Sequence, residues 1–484
     1  MLTIIDIKSE LERGSEQTLP CGCTLTVSEQ GDIDLSRRFF TSQPIFYAVI
    51  DNRLLVTPQY QQLLSCLREQ GVDLQPDQQY MSAYLAFQSP FTTATLYQSI
   101  KLLRPGETCC IAQLGSFIGN DKGRQTKAAR SSFFVEVNRE HKLTPDELTD
   151  SLKAIIGELS PEKTVFHISS GLDSSILAIL AAEVFASQAP QSPVQLATCV
   201  TRGDGCADEV TNSRRLADDI GADLKVYDFT EVDIFAMGTE LMGNCLSYPI
   251  AHPSHLVEYL LDRKIIQSGA TAIVNGKGPD DVLGGYQCHQ DAFSDAAIHR
   301  QRVTVMDEAL LCQLLTSKAP LSHLSNFWQR HEQDLTLLQR LEYDARATTE
   351  AWNIIHRDIA VNLDVKIISP FMAPQIREGL LALDDRQKVF NGRQKVFLRD
   401  TFANRYPDYI RNFAKTGMRL DLQPYFSDYN RAELFAKITV DESRAAKYFN
   451  LGQIWIMIDA TLSGQRNYGW QLWSIFALMS ALNQ

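Results

Sequence analysis

The sequence predicts an α/β protein in two parts: a β-rich domain at residues 1–140 and, at 141–484, a doubly wound parallel sheet with added helices. Apolar runs separated by turn residues dominate the first part, as in antiparallel β structure. Between 151 and about 290, strand-like and helix-like segments alternate, which is typical of a parallel sheet covered by helices. The segment 116–140 is polar and basic and contains Gly and Ser, so it is predicted as a linker or an exposed loop.

The elements of the first part are predicted from strand and turn patterns. Residues 44–58 contain two apolar runs on either side of Asp51 and Asn52, which indicates a β-hairpin. Residues 80–87 are predicted to be helical, and 96–112 to form two strands joined by a turn that contains Pro and Gly.

The second part begins with a helix, because Thr144 can cap it and Pro145 fits its first turn. Four buried strands are predicted at 164–168, 195–200, 224–229 and 271–275. Ligands of such sheets bind beyond the C-terminal ends of the strands, so the residues that follow these strands are the functional candidates. Residues 300–363 are predicted to be helical, and the tail at 427–484 to form amphipathic helices.

The composition excludes several classes of function. Hydrophobic residues make up 44% and charged residues 21% of the 484 residues, as in ordinary soluble globular proteins. The net charge of -12 argues against a general nucleic-acid surface or an anionic-membrane surface. No run approaches the ~18 apolar residues of a membrane span, and the N-terminus has no basic region followed by an apolar core. We therefore expect a cytoplasmic protein that binds no nucleic acid and has no membrane span.

The strongest chemical motif is at residues 164–185, where a short strand, a small polar loop and a helix follow one another. Backbone N–H groups at the start of the helix and the hydroxyl groups of the loop would bind an anion such as a phosphate. Asp173 adds a carboxylate that could hold Mg²⁺ against that phosphate. The segment has no Lys, so it is not the loop G-x-x-x-x-G-K-[ST]; a Ser-rich helix cap is the alternative. The candidate cofactor-binding residues are Ser169, Ser170, Gly171, Asp173, Ser174 and Ser175.

A second motif, N-G-K-G-P-D-D-V-L-G-G-Y, follows the fourth predicted strand at residues 275–286. Gly276 and Gly278 allow a close approach of the backbone to a cofactor. Asp280 is placed to share Mg²⁺ with Asp173, because two carboxylates and phosphate oxygens suit a hard cation. A surface turn would explain the glycines, but not an acidic residue after a strand end.

Together these motifs resemble those of the asparagine synthetase family over about residues 50–425. The loop S-S-G-L-D-S-S is similar to the family's pyrophosphate loop S-G-G-L-D-S-S, with Ser170 in place of Gly, and F-A-K-T-G at 413–417 resembles R-x-K-x-G. The resemblance implies an ATP-pyrophosphatase-like domain that uses ATP and Mg²⁺, adenylates a carboxylate and lets an amine displace AMP. It also implies that Lys415 lies over the α-phosphate and stabilises charge in the transition state, the alternative being a solvated lysine.

Two shorter segments are also similar to motifs of this family. Asp208 and Glu209 open a helix after the second predicted strand and are similar to an Asp-Glu pair near the nucleotide; acidic residues that favour a helix N-terminus are the alternative. Lys395 belongs to G-R-Q-K-V-F-L-R-D-T-F, which matches the family's K-x-x-L-R-x-x.

The first part resembles the second half of the glutamine-hydrolysing domain of asparagine synthetases, an Ntn-type domain. In that family a cysteine exposed at position 2 after removal of Met1 attacks glutamine, together with its free amine. Here position 2 is Leu2, and Cys21 and Cys23 have no terminal amine beside them. We therefore expect a degenerate, inactive glutaminase-like domain that remains as a scaffold or a partner-binding surface.

The residues expected on the amine side of the reaction depart from the family. Lys277 stands where asparagine-forming members carry Glu and β-lactam-forming members carry Tyr. It could pair with a substrate carboxylate, or repel an ammonium group until that group loses its proton. Cyclising members carry a Glu on the helix before the next motif, where this chain has Ile354. Glu350 and Asp358 lie one turn away, and Glu350 is the predicted catalytic residue, together with Lys277 and Lys415.

A chain of this family without the terminal cysteine is expected to take the amine from its own substrate and close a ring. A lasso-peptide macrolactam synthetase of antibiotic biosynthesis is the preferred prediction, because Lys277 is not the Tyr of the small-ring enzymes. The helical segment 300–363 could enclose a peptide, a packed helix pair being the alternative. The other functions left open are a β-lactam or carbapenam synthetase, an ammonia-dependent asparagine synthetase and a non-catalytic scaffold. The expected partners are a peptide or small amino-acid substrate with its own carboxylate and amine, and a leader-peptidase or leader-binding protein.

Overall fold

The computed structural model describes parts of the chain on both sides of the predicted linker. The described residues are 2–7, 10–40, 43–89, 92–113, 141–202, 206–244, 247, 249, 252–290, 304–317, 321, 324, 336–411 and 420–483. The predicted linker at 116–140 and Lys415 lie outside these ranges, so both remain predictions.

The first part is built from two antiparallel sheets of four strands. In spatial order, one sheet has β1 (Thr3–Asp6), β6 (Arg53–Thr57), β5 (Ile45–Ile50) and β7 (Lys101–Leu103), and the other has β2 (Glu16–Thr18), β3 (Cys23–Val27), β4 (Asp32–Arg37) and β8 (Thr108–Gln113). The predicted hairpin is confirmed, and Asp51 and Asn52 at its turn have positive φ angles of 44° and 66°. The two strands predicted within 96–112 belong to different sheets, so the turn between them joins the sheets.

A five-stranded parallel sheet forms the centre of the second part. Its spatial order is β11 (Asp223–Asp228), β10 (Gln195–Val200), β9 (Thr164–His167), β12 (Ala272–Val274) and β13 (Lys366–Ile368). The predicted parallel sheet is confirmed, and the three-residue β13 is an additional strand. Because β9 lies between β10 and β12, the direction of winding reverses there, and ligands of such sheets bind at this reversal.

Helices surround this sheet and pack on the first part. The longer described helices are α1 (Tyr60–Glu69), α2 (Gln78–Phe87), α3 (Pro145–Gly157), α4 (Leu172–Gln188), α5 (Cys206–Ile220), α6 (Ile234–Asn244), α7 (Ser254–Gln267), α8 (Pro279–Leu283), α9 (Gln287–Gln290), α10 (Glu308–Leu314), α11 (Leu337–Arg346), α12 (Thr348–Asn362) and α13 (Pro374–Leu381). They are followed by α14 (Asp385–Lys388), β14 (Val389–Phe390), β15 (Arg393–Gln394), α15 (Val396–Thr401), α16 (Asp408–Arg411), α17 (Gln423–Phe426), α18 (Arg431–Thr439), α19 (Glu442–Tyr448), α20 (Leu451–Leu462) and α21 (Gly469–Leu482). The predicted helix start is confirmed, since the side chains of Thr144 and Glu147 form a reciprocal capping box.

The prediction of amphipathic tail helices is wrong for α21. This helix buries side chains on all of its sides, including Trp473 and Phe476, as expected of a helix in a core. It packs against Gly238 of α6, where a Cβ atom would lie 2.7 Å from the ring of Phe476.

The hydrophobic core is continuous between the two parts. One cluster of buried side chains contains Phe46 and Tyr84 of the first part together with Phe235 and Trp473 of the second. The division of the chain at residue 140 stays a prediction, because that residue is not described. Within the described ranges, no helix is long and apolar enough to cross a membrane.

Candidate active site

The loop after β9 places the predicted phosphate-binding residues at the C-terminal edge of the sheet. β9 ends at His167 and α4 begins at Leu172, directly after Gly171. The Oγ atoms of Ser169 and Ser174 are 3.0 Å apart, and the N–H of Gly171 donates to Ser169 Oγ at 3.1 Å. The loop is therefore a compact turn at the N-terminus of a 17-residue helix, a position that favours an anion.

Two serines of this loop direct their hydroxyl groups at the protein itself. Ser170 Oγ donates to the carbonyl oxygen of Glu209 at 2.8 Å and ties the loop to α5. Ser175 Oγ donates to the carbonyl oxygen of Gly171 at 2.8 Å. Both hydroxyls shape the loop in this structure, so their binding to phosphate stays a prediction. The helix that carries Asp208 and Glu209 begins beside the loop, and burial raises the pKa of Glu209 to about 7.

Gly276 brings the second motif against the first. A Cβ atom at Gly276 would lie 2.7 Å from the backbone nitrogen of Ser174. Gly278 has a φ of 119°, a conformation that favours glycine. The close approach that Gly276 allows is thus an approach to the start of α4, whereas a Cβ atom at Gly278 would meet Met372 and Phe371. Contact of either glycine with a cofactor stays a prediction.

The two carboxylates predicted to bind Mg²⁺ lie on either side of a lysine. Lys395 Nζ is 2.5 Å from Asp173 Oδ2 and 2.7 Å from Asp280 Oδ1. Lys395 directly precedes α15, has a φ of 51° and is 4% exposed. Burial lowers the pKa of Lys395, and the carboxylate of Asp173 opposes that shift. The sequence around Lys395 gives no sign of this contact, because 222 positions separate it from Asp173.

Asp173 and Asp280 fit a magnesium ion that is bound together with a polyphosphate. Asp173 Oδ1 is buried and has no hydrogen-bond partner among the described residues, so it is available as a ligand. In the same ranges, no group of three or more His, Cys, Asp or Glu residues could hold a metal by itself. Mg²⁺ commonly takes one or two carboxylates and completes its shell with phosphate oxygens and water. The shared magnesium site remains a prediction, and Lys395 would neutralise charge on the same phosphates.

Lys277 lies in a group of buried or half-buried side chains beside the second motif. Its Nζ is 2.6 Å from Glu258 Oε2 and 2.5 Å from His356 Nε2. Glu258 Oε1 is 3.0 Å from the same nitrogen of His356. Lys277 Nζ also lies 3.3 Å from the centre of the Trp352 ring, which is a cation–π contact. These four residues are called the amine-side group below. Lys277 is thus paired with a carboxylate of the protein.

Burial and neighbouring charges change the proton affinities in the amine-side group. Burial lowers the pKa of Lys277 to about 8, and Glu258 opposes this shift. Burial alone would raise the pKa of Glu258, but the charges of His356 and Lys277 hold it well below its usual range. His255, on the same helix as Glu258, has its pKa lowered well below the usual value by burial. A lysine with a pKa near 8 can release and regain a proton close to neutral pH.

The two acidic residues considered as bases on α12 have other partners. Glu350 accepts hydrogen bonds from Arg37 of β4, with Oε1 2.6 Å from Nη1, and the exposure of both side chains is 0%. Asp358 accepts hydrogen bonds from the backbone N–H and the hydroxyl of Ser247 at 2.7 and 2.6 Å. Burial raises the pKa of Asp358 to about 6.

The side of α12 that carries Glu350 and Asp358 differs from the side that contacts Lys277. Glu350 and Asp358 lie on one side of α12, because they are separated by two steps of four residues. Trp352 and His356 are one step of four residues apart and lie on the other side, where they contact Lys277. The catalytic role of Glu350 stays a prediction, and in this structure its carboxylate is held in a buried ion pair with Arg37.

The parallel sheet, the loop at the start of α4 and the apposed carboxylates define an α/β protein with a candidate anion-binding site at the C-terminal edge of the sheet. Residues 145–483 match the sequence model of the asparagine synthase family. The match spans more than half of the chain, and the chain belongs to the asparagine synthase family. The predicted resemblance is thereby confirmed for the family as a whole, and membership supports an ATP-dependent ligase that forms amide bonds.

Three solved structures to which the chain is similar are distant in sequence. An NMN synthetase from Francisella tularensis is 11% identical, with 50% of this chain and 94% of that chain covered and a TM-score of 0.21. An NH3-dependent NAD synthetase from Campylobacter jejuni is 12% identical, with 44% and 96% covered and a TM-score of 0.23. The U34-tRNA thiolase NcsA from Methanococcus maripaludis is 14% identical, with 57% and 90% covered and a TM-score of 0.23. No curated protein matches the chain.

Proposed function

We propose that the protein is an amide synthetase that adenylates a carboxylate of its substrate with ATP and lets an amine of the same substrate displace AMP, which closes a ring. The preferred substrate is a peptide, as in lasso-peptide macrolactam synthetases. The observation that carries this proposal is the meeting of Asp173, Asp280 and Lys395 at the edge of the sheet. Lys277 lies three residues before Asp280, just ahead of α8, so a site for the amine would adjoin the site for ATP.

The first half of the reaction would occur at the two carboxylates and Lys395. A carboxylate oxygen of the substrate attacks the α-phosphorus of ATP, the bond to the bridging oxygen breaks, and pyrophosphate leaves with the electron pair. Mg²⁺, when bound to Asp173 and Asp280, supplies further neutralisation of phosphate charge. Lys395 and the N-terminus of α4 would stabilise the charge that grows on pyrophosphate. Lys415 is proposed to act in the same way on the α-phosphate.

The second half of the reaction would occur at the amine-side group. The nitrogen of a neutral amine attacks the acyl carbon, the carbon–oxygen bond to AMP breaks, and the amine loses a proton. Neutral Lys277 can accept that proton, because its pKa is lowered to about 8. Glu258 and His356 lie within hydrogen-bond distance of Lys277 Nζ, and the carboxylate of Glu258 stabilises the ammonium that forms. These contacts favour a role of Lys277 toward the amine over a role as an anchor for a substrate carboxylate.

The choice of a ring-closing peptide substrate is based on sequence and on the position of α12. Position 277 carries neither the Glu of asparagine-forming members nor the Tyr of small-ring members. The helices α10, α11 and α12 lie in the helical segment at 300–363 that was singled out in the sequence, and α12 contributes side chains to the amine-side group. A peptide substrate would also require a partner protein that binds or removes its leader segment.

The test measures pyrophosphate released from MgATP by the full-length chain with three kinds of substrate. These are aspartate with ammonium, small amino acids that carry a second amine, and peptides with a free N-terminus and an internal Asp or Glu. Mass spectrometry identifies each product. Loss of one water from a peptide, accompanied by pyrophosphate, is the expected result, whereas asparagine formed from aspartate and ammonium would contradict ring closure.

A pair of aspartate variants connects the released pyrophosphate to this site. Asp173→Asn should lower the release at least about 100-fold, because it removes one of two charges that hold the ion. Asp150→Asn, at an exposed position on α3, should leave the rate unchanged. Full biological activity of the Asp173→Asn protein would instead support a non-catalytic scaffold.

A further inference from the structure

A buried ion pair joins the first part of the chain to α12, the helix that carries Trp352 and His356. Arg37, the last residue of β4, places Nη1 2.6 Å and Nη2 3.2 Å from the two carboxylate oxygens of Glu350 on α12. Nη1 also donates to the carbonyl oxygen of Leu103 on β7 at 2.9 Å. Because β4 and β7 belong to different sheets, this guanidinium joins both sheets of the first part to a helix of the second.

Two aromatic residues that follow β4 extend this contact. The ring centre of Phe39 lies 5.2 Å from the guanidinium carbon of Arg346 on α11, and that of Phe40 lies 5.1 Å from Arg377 on α13. Both rings also pack against the hydrophobic core of the second part. The end of β4 is therefore fixed on three neighbouring helices, with the Arg37 pair on the helix that reaches the site.

Helix α12 connects this ion pair to Lys277. His356 lies less than two turns after Glu350, about 9 Å along the helix axis, and Trp352 lies between them. Glu350 faces Arg37, whereas Trp352 and His356 contact Lys277 from the other side of the helix. A shift of the helix at Glu350 would therefore move both of the groups on α12 that contact Lys277.

We propose that Arg37 is a positioning residue for the amine-side group, and that the first part of the chain braces α12 so that Trp352 and His356 meet Lys277. A buried pair with two parallel hydrogen bonds suits this role, because it fixes both the distance and the angle between the partners. The proposal rests on the proposed function only for the chemistry of Lys277, since the coupling itself is a property of the folded chain. This contact would give the first part of the chain a structural role that needs no glutamine.

Removal of Arg37 should change the surroundings of Lys277. Glu350 would remain buried without its cationic partner, and the helix can relieve this by moving Glu350 toward water. The described charged and titratable groups around Lys277 are Glu258, His255 and Asp262 on α7, Asp281 on α8 and His356 on α12. Of these groups only His356 lies on α12, and Trp352 moves with it, so Lys277 would lose both contacts and gain water. Because burial is the largest cause of its lowered pKa, we expect that pKa to rise by about one unit.

The test uses the full-length chain without substrate and compares Arg37→Ala with Arg53→Ala, which alters an exposed arginine on β6 of the same part. Mass spectrometry measures amide hydrogen exchange in peptides from 348–362. It also measures how acetylation of Lys277 by acetic anhydride depends on pH. For Arg37→Ala we expect exchange in 348–362 to become at least about 10-fold faster. The midpoint of acetylation should rise by about one pH unit. Arg53→Ala should match the unchanged protein in both signals.

Two conservative variants separate positioning from general stability. Arg37→Lys keeps the charge without the paired hydrogen bonds, so it should give intermediate values of both signals. Glu350→Gln keeps the shape of the side chain and supplies the same comparison where Arg37→Ala does not fold. An unchanged acetylation midpoint in a folded variant would overturn the proposal, whether exchange is unchanged or faster throughout the chain. A chain that makes no amide product would refute the proposed function without altering either signal, so the two failures are distinguishable.

Discussion

Lys395 Nζ lies 2.5 Å from Oδ2 of Asp173, although 222 positions of the chain separate the two residues. The same nitrogen lies 2.7 Å from Asp280, so one cation is shared by two carboxylates that have little contact with water. Two carboxylates this close repel each other, and the lysine offsets that repulsion. Lys395 thus joins the two predicted metal ligands through one buried cation.

Replacement of Lys395 by Met should test two proposed roles of this lysine. One is to offset the repulsion between the two carboxylates, and the other is to stabilise charge on pyrophosphate. Met has a similar length and no charge, so the two carboxylates would remain together without their cation. We expect pyrophosphate release to fall at least about 100-fold, because the positive charge near the leaving group is lost. We also expect the thermal unfolding midpoint to rise with Mg²⁺ even in the absence of nucleotide, since the ion can take the place of the lysine.

The control for this prediction is Lys366→Met, which removes an exposed lysine at the start of β13. The rate of pyrophosphate release and the thermal unfolding midpoint should then stay at the values of the unchanged protein. Normal pyrophosphate release by a folded Lys395→Met protein would show that Lys395 only fills space between the carboxylates.

A methyl group at Gly276 should separate the two motifs of the site. It would lie 2.7 Å from the backbone nitrogen of Ser174 and 3.0 Å from the carbonyl carbon of Asp173, and backbone atoms cannot rotate away. We expect Gly276→Ala to lower the free energy of unfolding by about 1–3 kcal/mol and to weaken binding of a nonhydrolysable ATP analogue. Denaturant titration and calorimetry measure the two effects. Gly157→Ala, whose nearest neighbour atom would be 3.6 Å away, should change stability by less than about 0.5 kcal/mol.

The sheet and the positions of two candidate site residues could be predicted because their signals are local. Apolar runs bounded by turn residues mark the strands, and Asp173 and Asp280 both follow strands that end at one edge of a parallel sheet. Lys395 also lies in a motif-like segment, but that segment does not show which residues the lysine contacts. Its place depends on how α14 and the short hairpin of β14 and β15 return the chain to this edge, which no local pattern encodes.

The amine-side group shows a second limit of prediction from the sequence. Lys277 could be singled out because it interrupts a motif, but Glu258 lies on a helix without any motif. On α12, a shift of two residues rotates a side chain by about 200° around the helix. Glu350, one turn from the expected position at Ile354, faces Arg37, whereas Trp352, two residues further along the helix, faces Lys277.

The lowered pKa of Lys277 predicts how stability depends on pH. An unfolded lysine titrates near 10.5, whereas Lys277 in the folded protein titrates at about 8. Between these values the unfolded state binds more protons, so the contribution of Lys277 to the free energy of unfolding rises with pH. In Lys277→Met the rise from pH 8 to 10 should be smaller by up to about 2–3 kcal/mol. Denaturant unfolding at several pH values measures this, with Lys366→Met as the exposed-lysine control, and parallel curves for Lys277→Met and the unchanged protein would contradict it.

Single replacement of Arg37 or Glu350 should lower the free energy of unfolding much more than replacement of both residues together. Arg37→Met or Glu350→Leu alone leaves one charge buried without its partner, so each should lower the free energy of unfolding by about 3–5 kcal/mol. Replacing both residues removes both charges and keeps apolar volume, so the double variant should lie within about 1–2 kcal/mol of the unchanged protein. Denaturant unfolding of the four proteins gives the coupling energy between the two sites. If the loss in the double variant equals the sum of the single losses, the ion pair is not what holds α12 against β4.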